Sequence, residues 1–225
     1  VLGLNADETE YEVIGKVGDI APDESSWSDR FIGDKAYIVT FRNIDPLWTV
    51  DLSEPTNPRI IGELKIPGVS TYIHPVGDTH LLTIGIAGDD EGLDWGVTQI
   101  SFFDVSDFSN PILESELKLN PAPNGENGWS YSHSEATYEH KAFQYWESDG
   151  LLAIPLSTSR WFENSVIEDG KTYNYYGYEY VSKLMLINAT PEKPLEIYND
   201  NIDHSSYYGS RFSWDTPSIK RSLFM

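Results

Sequence analysis

Three stretches of the chain are apolar almost throughout: Lys35-Ala36-Tyr37-Ile38-Val39-Thr40-Phe41, His80-Leu81-Leu82-Thr83-Ile84-Gly85-Ile86 and Leu151-Leu152-Ala153-Ile154-Pro155-Leu156. Short apolar runs of this kind predict strands buried on both faces. Each is followed at a distance by a partly alternating segment, at residues 59–66, 112–119 and 195–202. Period-two patterning predicts edge strands with one face toward water. Between the two kinds of strand stands a turn-forming element. Val50-Asp51-Leu52-Ser53-Glu54-Pro55-Thr56-Asn57-Pro58 returns as Phe103-Asp104-Val105-Ser106-Asp107-Phe108-Ser109-Asn110-Pro111 and, one residue shorter, as Ile187-Asn188-Ala189-Thr190-Pro191-Glu192-Lys193-Pro194. Asp, Asn and Ser side chains bond nearby backbone amides and proline fixes φ. Each copy therefore predicts a strand running into a tight corner, with Asp51, Asp104 and Asn188 at equivalent positions.

Shorter candidate strands at 27–31, 71–74 and 139–145 complete four strands per unit. Self-similarity at a period of roughly 40 to 50 residues, with four strands in each copy, is the pattern of propeller blades. The expected architecture is all-β: a propeller portion of about three four-stranded antiparallel blades, at 25–68, 69–120 and 121–203, with partial blades at both ends. Residues 1–24 include Tyr11-Glu12-Val13-Ile14-Gly15-Lys16-Val17, which matches the last strand of a preceding blade, and 204–225 match the start of a following one. No stretch of ten or more residues carries an amphipathic helical period. The connection between second and third strands lengthens from 43–46 through 88–96 to 157–180, and insertions of this kind map to one face. Three blades do not close a ring, so both termini are expected to pair with strands outside the chain. The remaining blades would come from a longer polypeptide or another subunit.

The run Arg30-Phe31-Ile32-Gly33-Asp34-Lys35-Ala36-Tyr37-Ile38-Val39-Thr40-Phe41-Arg42, with Asp45-Pro46-Leu47 leading into Val50-Asp51-Leu52-Ser53, resembles a family of bacterial and archaeal secreted proteins. These carry a C-terminal β-propeller domain distantly related to WD-40 repeats. Gly62-Glu63-Leu64-Lys65-Ile66-Pro67-Gly68, Ser134-Glu135-Ala136, His140-Lys141-Ala142-Phe143 and Arg221-Ser222-Leu223-Phe224 extend the resemblance over most of 25–225. It implies a fold and a secreted or cell-surface location, and no particular reaction. The chain departs from the family pattern in the aromatic insertion at 161–180.

Composition narrows the partners. Lys and Arg number 15 against 36 Asp and Glu, a formal net charge of −21. Such a surface repels phosphate backbones and anionic lipid, so neither nucleic acid nor membrane insertion is expected. There are no cysteines, which removes disulfides and thiolate metal sites. Seven Trp, 14 Tyr and nine Phe supply ample core material.

Candidate chemistry follows from what is left. Gly88-Asp89-Asp90-Glu91-Gly92-Leu93-Asp94 offers oxygen donors in a glycine-flanked loop, and Asp89, Asp90 and Asp94 are candidate calcium ligands, although acidic hairpin loops are more often simply solvated. Asn199-Asp200-Asn201-Ile202-Asp203 is a weaker candidate that a turn also explains. His133, Glu135 and His140 could serve a metal or hydrolytic centre, but their spacing favours a structural role. Trp161, Tyr173, Tyr175, Tyr176 and Tyr178 are candidate ligand-binding residues, because exposed rings anchor glycan or protein partners. The competing reading is a β-hairpin turning at Asp169-Gly170 whose tyrosines pack on their own blade. The expected function is an extracellular binding or scaffold module with a protein or glycan partner, with calcium as a candidate stabilising ion. The alternative is a propeller-type hydrolase or lyase using Asp89, Asp90 or Glu135 near the central axis.

Overall fold

The computed structural model of the chain describes residues 1–18, 20–22, 24–41, 45–89, 92–121, 129–203 and 218–224. β1 (Leu2–Leu4) and β2 (Tyr11–Val13) form a small antiparallel hairpin. The first four-stranded sheet is β3 (Ser25–Ile32), β4 (Lys35–Phe41), β5 (Asp45–Asp51) and β6 (Arg59–Ile66), in chain order. The second is β7 (Val69–Val76), β8 (His80–Asp89), β9 (Gly92–Asp104) and β10 (Ile112–Leu119). The third runs from β11 (Ser130–His133) through β13 (Leu151–Glu168) and β14 (Lys171–Asn188) to β15 (Glu196–Asp203), with β12 (Gln144–Trp146) also on β13. All pairings are antiparallel.

The corners repeat bond for bond. The amide of Leu52 donates to Asp34 O at 2.7 Å, that of Val105 to Thr79 O at 2.8 Å and that of Ala189 to Gly150 O at 2.7 Å. Asp51 and Asp104 each accept from the amide two residues on, Ser53 at 2.9 Å and Ser106 at 2.7 Å. Each fourth strand carries a bulge. Glu114 is the extra residue opposite Phe103 and Phe102, Ile61 its counterpart on β6 and Tyr198 on β15.

The doubly buried second strands are explained by where the cores lie. One core joins the first two blades through Tyr37, Val39, Leu47, Ile73, Leu81 and Phe103, the other joins the second and third through Leu82, Ile84, Phe102, Leu152, Ile154 and Met185. Successive residues of β8 alternate between these cores, so neither face of that strand reaches water. Docking of one blade on the next is tightest where Gly62 meets the second blade's corner. A Cβ there would stand 2.8 Å from Ser109 O, and Thr49 Oγ1 donates to Phe108 O at 2.7 Å. Gly15 meets the first blade's corner in the same way, with a Cβ position only 2.0 Å from Pro55 O. The N-terminal segment thus docks on the first blade as that blade docks on the second, and between them lies an open cleft of about 620 Å³ lined by Val1, Val13, Phe31, Ile38 and Val50 among others.

The third blade departs from the sequence expectation. Of residues 139–145, only Gln144 and Tyr145 lie in its first strand. That strand is split into β11 and β12, separated by two short 3-10 turns, Glu135–Thr137 and His140–Ala142. Pro155 lies opposite the gap, between Ser157, paired with His133, and Ala153, paired with Gln144. Proline donates no ladder hydrogen bond, so a continuous first strand loses its partner there. Ser134 supplies the alternative: its Oγ donates to Pro155 O at 2.6 Å and accepts from the Ala136 amide at 3.2 Å, capping the first turn.

The lengthening connections at 88–96 and 157–180 are continuous strand rather than loop in their described parts. β13 has 18 residues where β8 has 10 and β4 has 7. Its hairpin closes at Asp169 and Gly170, φ 51° and 71°, the two left-handed positions of a tight hairpin turn. At the chain ends, β2 finds its partner in β1, and 218–224 form no strand. They lie against the third blade, with the Ile219 amide donating to Ser182 Oγ at 2.9 Å and Phe224 edge-on to Trp146 at 5.3 Å. Residues 204–217 of the expected following blade lie outside the described residues.

Candidate functional site: an aromatic ladder on the third blade

Antiparallel pairing sorts the tyrosines of β14 by face. Trp161 stands opposite Tyr178 and Glu163 opposite Tyr176, while Tyr173 and Tyr175 pair with Val166 and Asn164 on the other face. Of the five expected ligand-binding residues, the fold therefore brings Trp161, Tyr176 and Tyr178 together and sets Tyr173 and Tyr175 apart. Trp161 stacks on Tyr176 at 6.1 Å and meets Tyr178 edge-on at 5.1 Å.

The row continues through residues that the sequence reading did not single out as ligand-binding. Tyr178 meets Trp129, Trp129 stacks on Tyr131 with rings 6° from parallel, Tyr131 stacks on His133, and His133 on Tyr138 at 5.6 Å. Trp129, Tyr131 and His133 sit at alternate positions, and that period-two spacing is the signal by which they were findable. Seven rings thus form one ladder from Tyr138 to Tyr176. Its outer members are open to solvent, Tyr176 at 67%. Ser157 lies beside it, accepting from the Tyr180 hydroxyl at 3.1 Å.

Burial holds the His133 imidazole below its ordinary pKa, against an upward pull from Glu135 and together with a further downward push from Lys220. His140 is not part of the stack; its ring lies over Tyr72 of the second blade. Glu135 accepts from Tyr138 and pairs with Lys220, so its described contacts are those of a structural carboxylate.

The acidic loop of the second blade sits at the tip of the β8–β9 hairpin. Asp89 accepts from the Gly92 amide at 3.2 Å and Asp94 from the Gly96 amide at 3.0 Å, which is turn chemistry; Asp90 lies outside the described residues. Among the described residues, metal-ligating side chains gather at the other end of that blade, where donor atoms of His80, Asp104 and Glu114 lie within 4.8 Å of one another.

Repeated blades, repeated corners and shared interblade cores find their counterpart in known sequences. A family model described as the β-propeller domain matches residues 1–225. The chain belongs to the β-propeller domain family. This β-propeller domain is 46% identical over 113 residues, half of the chain, to an uncharacterised protein of Methanocaldococcus jannaschii, and 35% identical over 148 residues, 66% of the chain, to one of Archaeoglobus fulgidus. The matched stretches span 17% and 21% of those relatives.

Proposed function

We propose that this β-propeller domain is an extracellular binding module whose long third-blade hairpin is an arm for a protein partner. The observation behind this reading is that the arm carries exposed rings on both faces. Tyr176 and Tyr178 lie on one and Tyr173 and Tyr175 on the other, with Ile167 near the tip 73% exposed. Apolar surface displayed this way marks interaction sites, and aromatic rings are the usual anchors of protein interfaces. A surface gripped from two sides suits a protein cleft better than a sugar chain, which lies along a single platform. The same reading holds that further blades, from a longer polypeptide or another subunit, complete the ring against the outer faces of the first and third blades.

Binding of the labelled domain to cell envelopes of the source organism tests the arm. The envelopes are used intact, protease-treated or deglycosylated. Loss of binding on protease treatment and in a Trp161→Ala/Tyr176→Ala variant supports a protein partner. Loss on deglycosylation alone reassigns the arm to a glycan. Undiminished binding by the variant overturns the reading.

A further inference from the structure

We propose that His80, Asp104 and Glu114 form a binding site for one divalent transition-metal ion of the zinc class. The three come from three neighbouring strand ends. His80 opens β8 and is the direct partner of Asp104, the last residue of β9, while Glu114 is the bulged residue of β10. A bulge re-aims the side chain it carries. Here Glu114 Oε2 lies 3.6 Å from His80 Nε2.

Comparison of the blades shows that the fold supplies this triangle of positions three times and fills it with ligands once. By register, the equivalents of His80, Asp104 and Glu114 are Lys35, Asp51 and Ile61 in the first blade, and Leu151, Asn188 and Tyr198 in the third. In the first blade Asp51 is neutralised by Arg59 at 3.0 Å. The residue opposite Asp104 in Arg59's place is Ile112. The second blade thus lacks the guanidinium and has a second carboxylate and an imidazole instead. Among the described residues neither Asp104 nor Glu114 has a Lys or Arg partner, in a chain whose net charge is −21. A divalent cation compensates both carboxylates at once.

The surroundings suit a ligating histidine. Nδ1 of His80 is 2.9 Å from Thr79 Oγ1, and with that nitrogen protonated and donating to the hydroxyl, the lone pair of Nε2 faces Glu114. An outer partner that fixes the tautomer in this way is the usual companion of a metal-bound imidazole. Phe102, fully buried, lies flat beneath the ring at 5.4 Å and 24°. One oxygen of Asp104 is committed to the Ser106 amide, which holds the carboxylate in place. One nitrogen and carboxylate oxygens select zinc-like ions, whereas calcium prefers oxygen alone. Three protein donors leave a tetrahedral ion one position for water or an outside ligand. The ion would tie β8, β9 and β10 at the corner whose Phe108 carbonyl receives Thr49, so it would brace the surface on which the first blade docks.

The test uses the 225-residue chain, stripped with chelator and titrated with Zn²⁺ by calorimetry, with Co²⁺ absorption as an independent readout. One ion per chain is expected, insensitive to excess Ca²⁺. Binding should weaken at least about tenfold in His80→Ala and in Glu114→Gln. Glu114 is exposed, so Glu114→Gln should keep the metal-free melting temperature while losing the rise that Zn²⁺ gives the parent chain. Asp104→Asn, which copies the third blade's Asn188, should also lose the rise that Zn²⁺ gives. Binding that survives His80→Ala and Glu114→Gln, or that fails in Asp89→Ala/Asp94→Ala instead, overturns the proposal. So does the absence of a one-to-one event.

Discussion

Trp161 and Tyr178 face each other directly across the third blade's hairpin, ring centroids 5.1 Å apart and 78° from parallel. Edge-to-face pairs of this geometry are worth about 0.5–1.5 kcal/mol beyond their area. A double-mutant cycle of Trp161→Ala and Tyr178→Ala should return a coupling in that range by denaturant unfolding. The same cycle with Tyr175→Ala, on the other face, should return none. Equal couplings would mean that the faces are not sorted as described.

Ser134 is fully buried and uses its hydroxyl twice, as donor to Pro155 O and acceptor from the Ala136 amide. Ser134→Ala should cost about 1–3 kcal/mol, since it leaves a buried carbonyl unpaired and removes a cap. A loss below about 0.5 kcal/mol in urea would show that the split first strand does not depend on it.

The blade docking contact is tested at Gly62. An alanine methyl would meet Thr49 Oγ1 at 2.7 Å and the Ser109 carbonyl at 2.8 Å, both closer than van der Waals contact. Gly62→Ala should destabilise by about 1–3 kcal/mol, as overpacking does. Gly18→Ala, which meets nothing within 4 Å, should be neutral within about 0.5 kcal/mol. Gly15→Ala should lower protection of the 1–18 backbone in hydrogen exchange and spare the second blade.

Acidification reaches His74 and His133 before the carboxylates. Burial lowers both imidazole pKa values; Arg30 lowers His74 further and Glu147 raises it, while Glu135 and Lys220 act on His133 in opposite senses. The unfolded chain therefore binds more protons than the folded one below about pH 6.5, so stability is full above that value and falls as pH drops through it. Between about pH 7.5 and pH 5.5, His74→Gln/His133→Gln should lose less stability than the parent. Asp51, Asp104 and Asp107 have lowered pKa values owing first to hydrogen bonds from Ser53, Ser106 and Ser109, so their loss comes only at more acid pH. Identical slopes for parent and variant would refute the histidine assignment.

What the sequence made legible is what is local. Asp51 with Ser53 and Asp104 with Ser106 act across two residues, so the corners and the strands they join could be read off directly. The broken first strand could not, because it depends on Pro155 standing opposite residues more than ten positions earlier, a relation that exists only once the register is set. His80, Asp104 and Glu114 are likewise far apart in the chain and meet through strand pairing and a bulge. The tyrosine-rich segment was visible by composition. Its division into two faces was implicit in the alternation, but the partners Trp129 and Tyr131 come from β11 and the residue just before it, on the far side of β13.

The alternation along β13 and β14 also governs how the arm can change over evolutionary time. Removing Asn174 from β14 would carry Tyr173 to the face of Tyr176 and Tyr178 and put the end of the strand one residue out of step with β13. Removing two from each strand would shorten the arm and preserve its handedness. Homologous arms of different reach should therefore differ by matched pairs of residues on both strands, and single-residue gaps should gather at the turn.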